Sequence, residues 1–206
     1  MRMRCSSLYY TAQSTETYQV PWDKDTADTY GDLGPQAHEA VLAPLLRRWA
    51  GDLSGRSALD FGCGPGPFVP MLEELGAEPI IGMDESRVMI EQARRRKTRA
   101  TFIVGNESDL PKRDRFDFIW CSLVLMMCQN RARLHKATAG LLASLSSDGR
   151  LAMVVTHPCF RRAGYATFHY ELPPDYDYWR SGRAYDVVLE ASSDDDAPSD
   201  DTDDHG

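Results

Sequence analysis

Short apolar runs alternate with longer amphipathic stretches through the middle of the chain. Apolar residues at helical spacing predict helices, and compact runs of four to six residues predict strands. The predicted strands are 57–61, 79–83, 101–104, 116–121 and 150–155, and the predicted helices are 67–75, 86–97 and 130–145. Gly76 and Gly149 stand where helix ends or turns belong. Strands separated by helices in this way indicate right-handed βαβ units and a parallel sheet.

Another amphipathic segment precedes the first of these strands. From Pro35 onwards, Leu42 and Leu46 belong to one apolar helical face, and Gly51 suits the C-terminal cap. Pro44 lies inside this pattern. Because proline has no backbone N–H, it should kink the helix or divide it in two.

The two ends of the chain differ in composition from the part between them. Residues 1–34 form a polar and aromatic N-terminal segment, and 35–156 form the core that carries the alternating pattern. Residues 157–191 are rich in aromatics and prolines, with one more possible strand at 185–189. Residues 192–206 contain seven aspartates and no Lys or Arg, so we expect a disordered acidic tail.

Composition narrows the class of protein. A chain of 206 residues that is 42% hydrophobic suits one domain with a proper core. Without the seven tail aspartates, the formal net charge of −8 becomes about −1, so we expect neither a nucleic-acid partner nor an anionic membrane surface. The cysteines form no C-x-x-C, the histidines form no H-x-x-x-H, and no apolar run has membrane-spanning length. We therefore expect a cytoplasmic protein without a metal site.

A glycine-rich turn, "GCGPGPF", follows the first predicted strand directly. Its glycines are Gly62, Gly64 and Gly66. A Walker-type phosphate loop would end in Gly-Lys-Ser/Thr, and a dinucleotide fingerprint would need glycine at position 67, where Pro67 stands. Close helix–sheet packing is the alternative reason for such a turn.

Acidic residues surround this turn in the sequence. Between Ser57 and Ser86 the chain has no Lys, Arg or His but six Asp or Glu residues. This environment suits a cationic ligand better than a pyrophosphate. Asp84, at the end of the second predicted strand, suits the two hydroxyls of a ribose. The expected ligand thus has a ribose and a positive charge but no phosphate.

Five segments together resemble the class I S-adenosylmethionine-dependent methyltransferases. In order, they match motif I, the second strand with its helix, the adenine-binding turn, the fourth strand, and the last helix with the fifth strand: "LDFGCGPG", "GMDESRVMIEQAR", "VGNESDLP", "FDFIWCSLVL" and "LLASLSSDGRLAMVVTHPCF". The similarity runs from about Trp22 to Phe160 and is greatest to the small-molecule, type 11-like branch. It implies an α/β fold, a Rossmann-like three-layer sandwich whose mainly parallel sheet has strand order 3-2-1-4-5.

The resemblance also implies S-adenosyl-L-methionine as the cofactor and gives roles to individual residues. Asp60 and the backbone of Gly62 would hold the methionine ammonium, while Gly64 and Gly66 let the chain pass close to the sulfonium end. Asp84 would bind the ribose. A helix N-cap is the alternative role for Asp84.

Three further positions concern the adenine and the ammonium. Many relatives have Asp where Asn106 stands, and the side-chain oxygen of Asn106 would accept the adenine amino group. Met83 and Glu107 would flank the ring, and Cys121 would offer its backbone carbonyl to the ammonium. Asn106 could instead be an ordinary turn residue.

Methyl transfer needs a base only if the acceptor must lose a proton. His157 closes the fifth predicted strand and is the candidate catalytic base, with a turn histidine before Pro158 as the alternative. Some relatives carry His at the position of Met126, which cannot accept a proton. Tyr30, with Trp22 before it, lies in the segment that resembles the family's flexible lid.

The chain departs from the family after the fifth strand. Seven strands are usual, but only about 35 residues lie between Thr156 and the acidic tail, and they lack a helix–strand–strand pattern. We therefore expect the last two family strands to be missing, which leaves 150–155 at an exposed edge that could form a homodimer.

Two function classes follow from this pattern. The first is a methyltransferase acting on O, N or C of a small-molecule acceptor that the sequence does not identify. The second is a truncated, catalytically impaired S-adenosylmethionine-binding protein. A nicotinamide-dependent oxidoreductase is less favoured, and nucleic-acid methylation fits poorly because the Asp/Asn-Pro-Pro-aromatic signature is absent after the fourth strand.

Overall fold

The strands form two separate sheets. The computed structural model describes residues 2–6, 38–111, 115–128, 130–155, 168–171 and 184–189. In chain order the strands are β1 (Arg2–Ser6), β2 (Ala58–Phe61), β3 (Ile80–Asp84), β4 (Thr101–Val104), β5 (Phe116–Ser122), β6 (Leu145–Val154), β7 (Phe168–Glu171) and β8 (Ala184–Leu189). The larger sheet has the order β4-β3-β2-β5-β6, and all its neighbouring strands are parallel. The predicted strand order 3-2-1-4-5 is thereby confirmed.

The helices connect successive strands of this parallel sheet. A π-helical turn, His38–Leu42, leads into α1 (Ala43–Ala50), and α2 (Val69–Glu74), α3 (Arg87–Ala93) and α4 (Arg131–Ala143) follow. Pro44 lies in the first turn of α1, where the π-helical turn gives way to the α-helix; Leu42 keeps a helical conformation, so the helix changes type here but is not divided in two. Helices long and apolar enough to span a lipid bilayer are absent from the described part of the chain.

Both faces of the parallel sheet are covered, which gives three layers. Side chains of α1, α2 and α3, such as Leu46, Leu72 and Ile90, form one buried cluster with one face of the sheet. Leu141 of α4 belongs to a second cluster with the other face. All four residues of β2 are buried, as expected for a central parallel strand covered on both sides.

β6 lies at one end of the parallel sheet. Among the described residues, no strand pairs with its outer side. β7 and β8 pair antiparallel, but β8 pairs next with β1, with Arg2 opposite Val188, and these three strands form the second sheet. The predicted strand at 185–189 is confirmed as β8. The β7–β8 pair therefore does not extend the parallel sheet as the last two family strands would.

Candidate functional site

A cleft opens at the carboxyl ends of the central strands, which is where parallel α/β sheets bind ligands. It encloses about 790 Å³ of space, part of it open to solvent. Its walls come from the turns after β2, β3, β4 and β5 and from α4. Five of the residues predicted to bind cofactor line it: Gly62, Gly64, Asp84, Asn106 and Glu107.

The glycine turn after β2 forms the floor of this cleft. Gly62 and Gly64 have φ angles of +70° and +53°, a left-handed conformation that glycine adopts without steric strain. The N–H of Gly62 donates to the carbonyl of Met83 at 2.7 Å, which ties the turn to β3. A Cβ on Gly62 would lie 2.2 Å from Cγ2 of Val124, whereas a Cβ on Gly64 would have no atom within 4 Å. Gly62 therefore packs against Val124 in the turn after β5, whereas the space beside Gly64 is open.

Asp84 ends β3 beside the glycine turn. Its Oδ2 accepts the Gly64 N–H at 2.9 Å, and its Oδ1 accepts the Ser86 N–H at 2.8 Å. Burial raises the pKa of Asp84, and these two hydrogen bonds act in the opposite direction. The N-cap of α3 is Ser86, whose Oγ accepts the Met89 N–H at 3.3 Å. The cap is thus not Asp84, and each oxygen of Asp84 keeps a further lone pair for a ligand.

Asp60 is a buried carboxyl group with an unsatisfied oxygen. It is 2% exposed, and its Oδ2 has no hydrogen-bond partner. Burial, together with the negative charge of Asp84, raises the pKa of Asp60 to about 8. Asp60 lines a smaller cavity that shares Gly62, Gly64 and Ser122 with the cleft. Because a buried carboxylate without a partner is unfavourable, a cationic group placed beside it would be stabilised.

Asn106 and Glu107 follow β4 and stand on another wall of the cleft. Asn106 Oδ1 accepts the Ser108 N–H at 2.8 Å, and the Asn106 N–H donates to Asp109 Oδ2 at 2.9 Å. Asn106 thus has the turn role considered as its alternative, and its oxygen keeps one lone pair for a base. The Glu107 carboxylate pairs with the guanidinium of Arg133.

Three residues with predicted roles lie outside both cavities. A Cβ on Gly66 would lie 3.1 Å from Cε1 of Phe102, so its glycine serves packing between the turn and the sheet. Met83 and Cys121 are buried in the core, and burial raises the pKa of the Cys121 thiol to about 12. The next residues after Cys121, beginning with Ser122, line the cleft instead.

The predicted base and lid lie where the structure gives no description. His157, Tyr30 and Trp22 are all outside the described residues. Their roles in catalysis and closure stay predictions.

Several cleft residues were not predicted from the sequence. Leu123 has a φ of +60° and is the one non-glycine residue with positive φ in the described ranges. This conformation is costly for a branched side chain and often occurs at functional sites. The N–H of Leu123 donates to the carbonyl of Val154 at 2.8 Å, so β6 holds the turn after β5 in place. Glu85 and Arg133 were also missed, although Glu85 directly follows Asp84.

Comparisons with known proteins agree with this geometry. Residues 59–153 match the family model described as a methyltransferase domain. The chain is 30% identical to a malonyl-[acyl-carrier protein] O-methyltransferase of Pseudescherichia vulneris, over 53% of this chain and 42% of the relative. It is 33% identical to a trans-aconitate 2-methyltransferase of Methylobacterium radiotolerans, over 43% of this chain and 34% of the relative. The chain therefore spans less than half the length of these curated relatives.

A solved structure shares the fold. The crystal structure of an S-adenosylmethionine-dependent methyltransferase from Mesorhizobium loti superposes with a TM-score of 0.50 at 28% identity, covering 63% of this chain and 59% of that protein. The matched family model spans most of the parallel sheet, from β2 into β6, and includes the glycine turn and Asp84. In its fold, its sequence match and its structural likeness, the chain is similar to the class I S-adenosylmethionine-dependent methyltransferases.

Proposed function

We propose that this protein transfers a methyl group from S-adenosylmethionine to an O, N or C atom of a small-molecule acceptor. The observation that carries the proposal is the buried Asp60 carboxyl, whose Oδ2 lacks a partner beside the open backbone of Gly64. S-adenosylmethionine carries an ammonium and a sulfonium, and this positive charge would stabilise the ionised form of the Asp60 carboxyl, whose pKa burial raises to about 8 when no ligand is present. The residues present therefore fit this cofactor.

Each part of the cofactor has a matching group in the chain. Asp60 and the Gly62 backbone would hold the methionine ammonium, and the second lone pairs of Asp84 would accept the ribose hydroxyls. Asn106 and Glu107 would contact the adenine. Cys121 contributes at most its backbone carbonyl, since its side chain faces the core.

Bound S-adenosylmethionine would supply a methyl group on a cationic sulfonium: the acceptor atom would bond to the methyl carbon as the C–S bond breaks, with S-adenosylhomocysteine as the leaving group. The chain's own contribution is to position the reactants and to exclude water. Together these effects can lower the activation free energy by about 7–11 kcal/mol. Leu123, Val124 and Met127 give the cleft an apolar wall that limits water near the reacting atoms. His157 would take a proton if the acceptor is a hydroxyl or a protonated amine.

The names of two relatives bear on the class of the acceptor. They mention a malonyl-[acyl-carrier protein] and trans-aconitate, which supports a metabolite or a carrier-bound metabolite rather than a nucleic acid. This chain spans less than half the length of each relative, so a small-molecule acceptor for this chain is proposed and not taken over from them.

A second candidate is a cofactor-binding protein with impaired catalysis. The observation that favours it is the position of β6 at the edge of the parallel sheet within the described residues, where the family usually continues with two more strands. Such a protein would keep the cofactor half of the site and lack part of the acceptor pocket.

Two measurements test these candidates. S-adenosylhomocysteine should raise the Tm of the full chain by binding the native state, and NAD should not. Asp84→Ala should weaken that binding by about 1–3 kcal/mol, the cost of losing hydrogen bonds to a charged group, whereas Asp52→Ala on an exposed turn should not. Unchanged affinity in Asp84→Ala would exclude its ribose role.

The second measurement separates the enzyme from the binding protein. Labelled methyl groups from S-adenosylmethionine should enter a metabolite pool only when the protein is present. Binding of S-adenosylhomocysteine without any transfer would support the impaired protein, and stabilisation by NAD alone would overturn both candidates.

A further inference from the structure

Three charged side chains from separate elements meet in one wall of the cleft. They are Glu85, next to Asp84 at the end of β3, Glu107 after β4, and Arg133 on α4. Nη2 of Arg133 donates to Glu85 Oε2, and Nε of Arg133 lies 3.4 Å from Glu107 Oε1. We call these three side chains the Arg133 bridge.

The Arg133 bridge is only partly exposed to water. The Arg133 side chain is 23% exposed and that of Glu107 is 10% exposed, whereas Glu85 is 49% exposed. Ion pairs at this depth are screened less than those on an open surface. The planar guanidinium can donate to two carboxylates in different directions, which the single ammonium of lysine does less well. With one cation between two anions, the bridge keeps a net charge of about −1.

Other contacts fix α4 against the turn after β4. Asn130 caps α4, and its Oδ1 accepts the Arg133 N–H at 2.8 Å. Nζ of Lys136 donates to Ser108 Oγ at 2.6 Å. A Cβ on Gly140 would lie 3.1 Å from Cδ1 of Leu110, so the helix and the turn pack closely. Arg133 is therefore held by its helix and joins the turns after β3 and β4.

We propose that Arg133 is a positioning residue of the cofactor site. Its guanidinium neutralises Glu85 and Glu107 and holds the turn that carries Asp84 at a fixed distance from the turn that carries Asn106. Those two turns would contact the ribose and the adenine, so this inference rests on the proposed function. Without Arg133, two carboxylates repel each other across the cleft wall and the turns separate.

Other charged and titratable groups lie near the Arg133 bridge. Asp84 shares the cleft, and the thiol of Cys128 experiences the charges of Arg133, Glu107 and Glu85. On α4, Lys136 contacts Ser108, and Arg131 contacts His135 at 3.4 Å, away from the bridge.

Calorimetric titration of the full chain with S-adenosylhomocysteine tests the inference. Arg133→Met should weaken binding by about tenfold or more at pH 8, a coupling typical of residues in one charged network. Arg131→Met, two residues earlier on the same helix, should stay within about twofold of wild type.

Two more variants distinguish charge from packing. Arg133→Lys keeps the positive charge and should bind with intermediate affinity. Adding Glu85→Gln and Glu107→Gln to Arg133→Met should restore most of the lost affinity. If Arg133→Met fails to fold, Arg133→Lys and the triple variant make the same comparison.

The possible outcomes separate the two proposals. The positioning role would be overturned if the wild-type chain binds S-adenosylhomocysteine and Arg133→Met binds it with an affinity within twofold of wild type. It would also be overturned if the triple variant binds as weakly as Arg133→Met alone. A wild-type chain that does not bind S-adenosylhomocysteine would instead overturn the proposed function.

Discussion

Replacing Gly62 by alanine should destabilise the fold strongly because two separate costs act at this position. The first is conformational: at a φ of +70°, an L-residue with a Cβ loses about 1–2 kcal/mol. The second is steric, since the new Cβ would lie 2.2 Å from Val124 Cγ2 and 2.9 Å from Val124 Cγ1. Overpacking of this kind typically costs about 1–3 kcal/mol. Gly62→Ala should therefore lower the free energy of unfolding by about 2–5 kcal/mol, a large part of the ~5–15 kcal/mol of a typical domain.

Gly64 offers a matched control two residues further on. Its φ of +53° carries a similar conformational cost, but a Cβ there would have no atom within 4 Å. Gly64→Ala should thus lose only about 1–2 kcal/mol of stability. Because that Cβ points into open space at the cleft, we expect this variant to bind S-adenosylhomocysteine more weakly despite its near-normal fold.

Urea unfolding of the ligand-free variants measures both effects, since the midpoint and slope give the free energy of unfolding. Val124→Ala in the Gly62→Ala background should recover part of the loss by removing both Cγ atoms. Equal destabilisation by Gly62→Ala and Gly64→Ala, or no recovery with Val124→Ala, would refute the proposed clash between the glycine turn and the end of β5.

Three further predictions concern pH, catalysis and assembly. Burial raises the pKa of Asp60 in the folded state from 3.8 to about 8, so between these pH values the folded state retains a proton that the unfolded state has lost. The free energy of unfolding of the ligand-free protein should therefore fall as the pH rises through this range, by at most about 1.4 kcal/mol per pH unit. Urea unfolding of Asp60→Asn should show no such fall. His157→Ala should lower turnover about 10²–10⁴-fold with cofactor affinity nearly unchanged, and a fully active variant would leave positioning as the mechanism. In residues 151–154 of β6, the amides that point away from β5 should exchange rapidly in a monomer and slowly in a dimer formed through this edge, so their slow exchange in a pure monomer would argue against an open edge.

Local patterns in the sequence carried most information about the parallel sheet. Strand positions followed from apolar runs, because a central parallel strand such as β2 buries every residue. The change from π-helix to α-helix before α1 lies next to Pro44, whose missing N–H acts within one helical turn. The predicted helix 86–97 ends earlier, at Ala93, and the side chain of Arg94 turns to donate to the carbonyl of Phe102 at 2.9 Å. The contact at this helix end thus involves a carbonyl of β4, which the local sequence pattern does not indicate.

Features that depend on distant contacts were not accessible in this way. The pairing of β1 with β8 joins opposite ends of the chain, and no periodic pattern reports it. Arg133 contacts Glu107 from α4, where the charged residues in the sequence are typical of an ordinary solvent-exposed helix face. The φ of Leu123 is set by the carbonyl of Val154 on β6, so its strained conformation has no signature in the neighbouring residues.

The hydrogen bond from the Gly64 N–H to Asp84 Oδ2 has a consequence for ligand selectivity. The Asp84 side chain is held by the backbone before any nucleoside arrives, so the entropy cost of ordering it, about 0.5–1.5 kcal/mol, falls on folding rather than on binding. Because its orientation is fixed, the Asp84 carboxylate cannot rotate to bind water when one hydroxyl of the sugar is missing. Under the proposed function, the site should therefore distinguish a ribonucleoside from its 2′-deoxy counterpart, because the 2′-deoxy form leaves a half-buried carboxylate oxygen without a partner.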